Sequence, residues 1–204
     1  MRRAASALLA LCASCASTSY PTQIPPPPRS IDHSSKLDLY LGVRSLDQDD
    51  WSPVDDQGVL GVEYVHEDPG SAVGFELGAF ASGKKKDNVP VGGGGTIDVH
   101  GGTGEISAGV RKSFSSPGDT VHPYIGAGLA AIRAEFRGNG ASSSAEDDDA
   151  SGGLYVHGGI DFDVGPNLFL GVDLRLLGGT DVTLFGVNGN ADYAQFALVF
   201  GVGF

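Results

Sequence analysis

The sequence predicts an all-β fold, an eight-stranded antiparallel up-and-down transmembrane β-barrel, from three observations. Apolar residues alternate with small or polar residues along eight segments, and a period of two places the two sets on opposite faces of a strand. Short and long connectors alternate between the segments, as they do in barrels with turns on one side of a membrane and loops on the other. No apolar run reaches the ~20 residues that a transmembrane helix needs, so only strands of this chain could cross a membrane.

The first residues of the chain, 1–16, have the pattern of a signal peptide. A basic start and a short apolar stretch up to Ala13 precede Ser14-Cys15-Ala16, which matches a small-residue cleavage site. Cleavage after Ala16 would leave a mature chain without cysteine. The alternative is a lipoprotein leader ending at Cys15, which would then be acylated as the new N-terminus, although the residue three positions before it is not the usual leucine.

Residues 17–35 are predicted to form a proline-rich linker. The run Pro25–Pro28 favours extended polyproline geometry and has no backbone N–H groups to donate to a sheet. A solvated spacer before the barrel, which is predicted at 36–204, is the simpler interpretation. If Cys15 is acylated, the same segment would be a tether between the lipid anchor and the barrel.

Eight strands are predicted in the barrel, and their connectors form two classes. Tight turns containing Pro and Gly alternate with long loops, and both barrel ends fall on the side of the tight turns. The predicted strands are 36–46, 57–68, 71–83, 96–114, 121–137, 152–164, 167–178 and 191–204. The turns are expected at 68–70, 115–119 and 165–167, and the loops at 47–56, 83–95, 138–151 and 178–192.

Most of the predicted strands carry bulky apolar residues at one parity. These residues are Leu37, Leu39, Leu41 and Val43 in the first strand, Leu60, Val62 and Tyr64 in the second, Val73, Phe75, Leu77 and Ala79 in the third, Leu154, Val156, Ile160 and Phe162 in the sixth, Leu168, Leu170, Val172, Leu174 and Leu176 in the seventh, and Ala194, Phe196, Leu198, Phe200, Val202 and Phe204 in the last. In the fourth strand the apolar parity changes between Val99 and Ile106, which predicts a bulge or a strand end at Gly101-Gly102. The fifth strand has a thin apolar face.

The apolar face is expected to point outward, toward lipid. The interior of an eight-stranded barrel is just wide enough for its side chains, and rows of Leu and Phe would crowd it. A soluble lipocalin-like barrel, with the apolar face around a ligand, is the alternative. The predicted lumen charge network consists of Asp38, Arg44, Glu63, Glu76, Glu105, Arg111, Arg133, Glu135, Asp161, Asp173 and Arg175. Because lone buried ions are costly, we expect these residues to form an ion-paired, water-containing plug without a wide pore.

These features resemble the small outer-membrane β-barrel family, which includes the OmpA transmembrane domain and the opacity-type adhesins. The resemblance rests on the eight alternating segments, the glycine-rich passage His122–Ala130 and the aromatic C-terminal strand. It implies a location in the bacterial outer membrane, with outer-membrane lipid and lipopolysaccharide as partners. It also implies that Phe196, Phe200 and Phe204 belong to an assembly signal that the barrel-assembly machinery reads.

The sequence contains no recognisable catalytic or cofactor motif, and we predict that the protein is not an enzyme and binds no cofactor or metal. A GxSxG elbow is absent, and the five histidines lack metal-ligand spacings such as HxxxH. His157 is expected to face the lumen and to pair with Asp161 or Asp163. The formal net charge of −12 argues against nucleic acid as a partner.

Three charged runs lie in the predicted loops. The acidic residues of 47–56 and of 146–149 offer oxygen ligands suited to Ca²⁺ or Mg²⁺, but solvated loop tips are the simpler interpretation. Lys84–Lys86 could meet lipopolysaccharide phosphates by charge attraction or could offset the acidic loops.

We predict a structural or surface-interaction role for the barrel, with an extracellular ligand that the sequence does not specify. The first alternative is a narrow porin-like transport channel for small or hydrophobic solutes. A lipid A-modifying enzyme and a soluble, lipid-anchored, lipocalin-like binder are two further alternatives. Measurements of conductance separate the first two hypotheses.

Overall fold

The computed structural model describes residues 34–68, 71–91, 95–114, 119–140 and 144–204. The predicted signal peptide, Cys15 and nearly all of the predicted linker lie outside these residues. The elements in chain order are β1 (Ser35–Leu46), α1 (Gln48–Trp51), β2 (Asp56–His66), β3 (Gly74–Val91), β4 (Gly95–Ser113), β5 (Val121–Asn139), β6 (Ser144–Gly165), β7 (Leu168–Gly178), β8 (Val182–Leu184), β9 (Val187–Gly189) and β10 (Tyr193–Gly203).

Eight of the strands form a closed antiparallel barrel, as predicted. The order around the wall is β1-β10-β7-β6-β5-β4-β3-β2, and β1 and β10 pair at the seam from Lys36 opposite Gly203 to Leu46 opposite Tyr193. The remaining two strands, β8 and β9, form a small hairpin in the last long connector. No helix within the described ranges is long and apolar enough to span a membrane.

The outer wall of the barrel is apolar, which confirms the predicted orientation of the faces. Leu41 on β1, for example, is 55% exposed, whereas its neighbours Tyr40 and Arg44 are buried inside. The same alternation runs along the barrel strands, so the side chains that would be expelled from water meet lipid instead. At the end of the barrel where β1 begins and β10 ends, Phe75 and Phe204 pack against Tyr64 on the outer surface.

The described residues of two predicted long loops, 83–95 and 138–151, lie mostly in strands. β3 and β4 remain paired as far as Val91 opposite Gly95, and β5 and β6 as far as Asn139 opposite Ser144. The neighbouring strands stop much earlier, because β2 pairs with β3 only as far as Gly83 and β7 pairs with β6 only as far as Leu154. Residues 84–91 of β3 and 144–153 of β6 therefore have no outer neighbour in the barrel wall. Together with the segments of β4 and β5 between them, they project beyond the rim as a four-stranded sheet, here called the extension.

The β3 edge of the extension carries features that discourage pairing with another strand. The lysine run 84–86 lies along this edge, and Pro90 lacks an N–H group to donate. The register with β4 shifts between Lys86 and Val89, where Asn88 has a φ of 58°. Charged residues, proline and bulges are the devices by which edge strands resist edge-to-edge association.

The parity change in β4 has a different cause from the predicted bulge. β4 pairs without interruption through Gly101-Gly102 with both β3 and β5, so the prediction of a bulge or strand end there was wrong. Val99 simply points to the interior, where it is buried in an apolar cluster at the end with the long connectors. In transmembrane barrels the long loops face the outside of the cell, so this end is here called the extracellular end. The interior changes from polar to apolar along the barrel axis, and the residues that suit it change accordingly.

Candidate functional site

The barrel interior holds a dense set of buried charged side chains, and it is the candidate site. Nine of the eleven residues predicted for the lumen network lie there: Asp38, Arg44, Glu63, Glu76, Glu105, Arg111, Asp161, Asp173 and Arg175. The structure adds Lys36 and several tyrosine hydroxyl groups that contact the carboxylates, and His157 lies in the same space, as expected. The inward parity of all eight barrel strands places these side chains in one space.

The first arm of the network crosses the lumen toward the extracellular side. Arg44 Nη2 lies 3.0 Å from Glu105 Oε2, and Arg175 Nη2 lies 3.1 Å from Glu105 Oε1. Arg175 Nη1 continues the chain to Glu63 Oε2 at 3.2 Å. Tyr193 donates its hydroxyl hydrogen to Glu105 at 2.6 Å. These contacts connect β1, β4, β7 and β2 across the interior rather than along the wall.

The second arm lies toward the end of the barrel where β1 begins and β10 ends. Arg111 Nη2 donates to Asp161 Oδ2 at 2.9 Å, and Nη1 lies 3.4 Å from Asp38 Oδ2. Lys36 pairs with both of these aspartates. Arg111 also lies 3.8 Å from Glu63, so the two arms meet at that carboxylate.

A histidine lies between two carboxylates in the middle of the interior. His157 Nδ1 is 2.9 Å from Asp173 Oδ2, and Nε2 is 3.0 Å from each oxygen of Glu76. Tyr155 donates to Glu76 at 2.6 Å, and Tyr124 donates to Asp173 at 2.9 Å. The partners predicted for His157, Asp161 and Asp163, lie on its own strand, whereas the observed partners reach it from β3 and β7.

Each interior arginine also stacks on an aromatic ring. The guanidinium carbon lies 3.5 Å from the ring centre of Tyr124 for Arg111, and 3.8 Å from that of Tyr193 for Arg44. For Arg175 the corresponding distance to Tyr155 is 3.9 Å. Stacking adds cation–π attraction and covers the guanidinium faces that its in-plane hydrogen bonds leave open.

An apolar cluster closes the extracellular end of the interior. Trp51 of α1 and Val54 lie inside the mouth, and the connector between β7 and β10 adds Val182 and Ala191. Trp51 also donates its indole N–H to the backbone oxygen of Asn190 at 2.8 Å, so the first and last long connectors hold each other. This cluster is here called the cap. Its members from the connectors stand in segments without periodicity, so the sequence did not predict that they would meet the strand residues inside the mouth.

Comparison with known proteins places this architecture in a family. Residues 4–204 match the family model described as outer membrane protein beta-barrel domain. The chain belongs to this outer-membrane barrel family. The resemblance stated from the sequence is therefore confirmed, and so is the location in the bacterial outer membrane. None of the curated proteins matches the chain.

Several solved structures share the fold of this outer-membrane barrel. OprG from Pseudomonas aeruginosa is 15% identical, with a TM-score of 0.59 over 84% of this chain and 97% of that chain. Ail of Yersinia pestis, solved with the heparin analogue sucrose octasulfate, is 15% identical, with a TM-score of 0.56 over 83% and 97%. Neisserial surface protein A is 17% identical, with a TM-score of 0.50 over 83% and 96%. These proteins are outer-membrane barrels, a class that does not typically contain enzymes.

Two residues predicted for the lumen network of this outer-membrane barrel lie outside it. Arg133 and Glu135 share the outward parity of Leu129 on β5. Arg133 pairs with Asp148 at 3.0 Å, and Glu135 pairs with Arg137 at 2.7 Å. The prediction was wrong for both because they stand where β5 enters the extension, and there an outward side chain meets water instead of lipid.

The acidic run 146–149 is engaged on both faces of β6. Glu146 and Asp148 point outward and pair with arginines of β5, at 2.6 Å for Arg137 and 3.0 Å for Arg133. Asp147 and Asp149 point inward and accept backbone N–H groups of the last connector, from Phe185 at 2.5 Å and Thr183 at 2.7 Å. Alternate side chains of β6 thus hold the β8–β9 hairpin beside the free edge of the extension.

The lysine run has acidic neighbours of its own. Lys85 Nζ lies 2.6 Å from Asp87 and 3.5 Å from Asp98. These carboxylates raise the pKa of Lys85, and the N–H of Asn88 lowers the pKa of Asp98. Of the two interpretations of the run, the contacts favour the one in which lysine offsets nearby acids.

The attachment of the β8–β9 hairpin should depend on pH through Asp149. Hydrogen bonds from the N–H groups of Thr183 and Ala150 lower the pKa of Asp149 below its ordinary value of 3.8. A carboxyl whose pKa is lowered on folding stabilises the folded form above the unfolded pKa, and this contribution disappears as pH falls through the folded pKa. We expect the amide proton of Thr183 to shift in NMR spectra over that acidic range.

A pair of substitutions tests the same contact at neutral pH. Asp149→Ala should speed amide hydrogen exchange at Thr183, because it removes the acceptor. Asp148→Ala removes an equal charge from the neighbouring, outward position and should leave exchange at Thr183 unchanged. Equal effects of the two substitutions would show that general electrostatics, rather than the direct hydrogen bond, holds the hairpin.

Proposed function

We propose that the protein is a non-enzymatic, non-conducting outer-membrane barrel with a structural or surface-interaction role carried by its extracellular extension. The observation that carries this proposal is the filled interior. The ion-paired network occupies the middle of the lumen, and the cap covers its extracellular end. The main role proposed for the buried charges is thus to close the lumen.

The cross-lumen pairs support a closed interior. Glu105 on β4 accepts from both Arg44 on β1 and Arg175 on β7, and each of these strands lies three strands away from β4 around the wall. An ion passing this level would have to separate buried pairs, and breaking such a pair exposes an uncompensated charge in a poorly solvated interior. Past this level it would meet the apolar cap, which offers no polar ligands in place of water.

The outer surface supports an interaction role. The extension carries charges on both faces, and its β3 edge resists strand addition, so recognition by side chains suits it better than β-augmentation. We also propose that outer-membrane lipid and lipopolysaccharide surround the wall. Phe196, Phe200 and Phe204, which lie on the outward face at the end of the chain, are proposed as the signal for the barrel-assembly machinery.

The proposal predicts that purified protein in planar lipid bilayers shows no conductance steps. Insertion is verified in the same preparation by the gel mobility shift that boiling in SDS produces in a closed barrel. Liposome swelling with small neutral solutes should likewise be absent. Reproducible conductance steps in verified barrels would overturn the proposal in favour of the narrow channel.

A further inference from the structure

Three buried side chains in the interior have the composition of a metal site. Glu63 of β2, Glu76 of β3 and His157 of β6 each offer one ligand atom, and these atoms all lie within 4.8 Å of one another. The side chains of all three are fully buried. They come from three strands, and the chain positions 63, 76 and 157 show no motif, which is why the sequence predicted no metal.

The contacts of His157 require a positive species beside the ring. Both ring nitrogens face carboxylates, at 2.9 Å for Asp173 and 3.0 Å for Glu76. A neutral imidazole has a single N–H group, so only one of these contacts can be an ordinary hydrogen bond. The other nitrogen would set its lone pair against carboxylate oxygens, unless a second proton or a metal ion lies between them.

The interior as described is short of positive charge, which suits a bound cation. The described interior has six buried carboxylates and four permanent cations, which are Asp38, Glu63, Glu76, Glu105, Asp161, Asp173 and Lys36, Arg44, Arg111, Arg175. A divalent cation beside a neutral His157 makes this set neutral, as does a proton on His157 together with a proton on one carboxyl group. Asp173 Oδ1, like Asp38 Oδ1 and Asp161 Oδ1, is buried and has no hydrogen-bond partner among the described residues.

We propose that Glu63, Glu76 and His157 bind a divalent transition-metal ion, with Asp173 as the positioning residue. Imidazole and carboxylate ligands suit Zn²⁺, Fe²⁺ and Mn²⁺. A carboxylate that accepts the other ring N–H is the usual outer partner of a metal-bound histidine. The ion would cross-link β2, β3 and β6 from inside, so its role is structural.

Gly126 on β5 lies directly against His157 and Glu76. A Cβ atom at this position would lie 2.2 Å from His157 Nε2 and 2.8 Å from Glu76 Oε1. Any larger residue at this point of β5 would therefore displace the histidine or the carboxylate. The requirement for glycine at this point of β5 agrees with a site built around Nε2.

Metal analysis of full-length protein, refolded with Zn²⁺ and freed of loosely bound ions, tests the proposal. We expect stoichiometric zinc in the wild type and its loss in His157→Gln and Glu76→Gln. Glu105→Gln, which alters an equally buried carboxylate outside the cluster, should retain zinc. A double variant of the surface histidines, His66→Gln with His122→Gln, should also retain it.

A second measurement on the wild type does not depend on how the variants fold. X-ray absorption at the zinc edge should show a first shell of oxygen with an imidazole nitrogen. Chelation should then lower the temperature at which the folded band is lost in SDS gels. Absence of zinc from folded wild-type barrels, or retention of zinc by folded His157→Gln, would overturn the proposal and leave His157 as a doubly protonated imidazolium.

Discussion

Replacement of Arg175 by alanine should destabilise the barrel by about 3–5 kcal/mol, the cost of removing one partner from a buried ion pair. Arg175 lies 3.2 Å from Glu63 and 3.1 Å from Glu105, and all three side chains are fully buried. Without the guanidinium, both carboxylates stay in a space where water cannot readily solvate them. Loss of the stacking contacts with Tyr155 and Phe80 adds to the effect.

The measurement is urea unfolding in phospholipid vesicles, followed by the fluorescence of Trp51. Trp51 is the only tryptophan of the chain and is buried in the cap, so its emission reports opening of the barrel mouth. Arg133→Ala is the matched control, because Arg133 also pairs with one carboxylate, Asp148, but its side chain is 65% exposed. The control should change stability by less than ~1 kcal/mol. Equal losses in the two variants would contradict the argument from burial.

The contrast between these two arginines shows what alternation in the sequence can reveal. Alternation predicts which residues share a face, and in the membrane-spanning part the lipid forces the apolar set outward. The rule that polar residues point inward therefore holds for Arg175. It fails for Arg133 because the extension has water on both faces, so parity there carries no information about inside and outside.

The same physics explains why the extension itself was predicted as two loops. Strands with water on both sides need no apolar set, and those around Lys84–Lys86 and Glu146–Asp149 are rich in charges, Gly and Ser. Loops have the same composition, so composition alone does not separate these strands from loops. The β5–β6 hairpin is instead held by backbone pairing and by outward ion pairs between neighbouring strands, which become visible only when the register is known.

The ion pairs inside the lumen could not be predicted from the sequence either, although the inward face of most of the paired residues could. Two residues of the same strand that are four positions apart, such as His157 and Asp161, are separated by about 13 Å along it. The actual partners of His157 depend on how β3, β6 and β7 are staggered around the barrel. Lys36, by contrast, shares the parity of Asp38, and this signal could have placed it in the network.

Substitution of Gly42 should impair closure of the barrel. Gly42 lies opposite Ala197 at the seam between β1 and β10. A Cβ atom there would lie 2.0 Å from the backbone oxygen of Phe196 and 2.6 Å from the Cα of Ala197. Because backbone rather than a flexible side chain occupies the space, Gly42→Ala should cost about 1–3 kcal/mol as overpacking, and Gly42→Val should cost more.

The measurement is the fraction of refolded protein that runs as the folded band in unboiled SDS gels, with urea unfolding of the part that folds. Gly58→Ala on β2 is the matched control, because no heavy atom of the described residues lies within 4 Å of the position of its Cβ. The control should fold like the wild type. Since the pairs that Arg44 and Lys36 of β1 make across the lumen require the seam to be closed, Gly42→Val should lower the yield of folded barrel as well as its stability. A full yield for Gly42→Val would show that β1 and β10 can separate at this point without loss of the interior network.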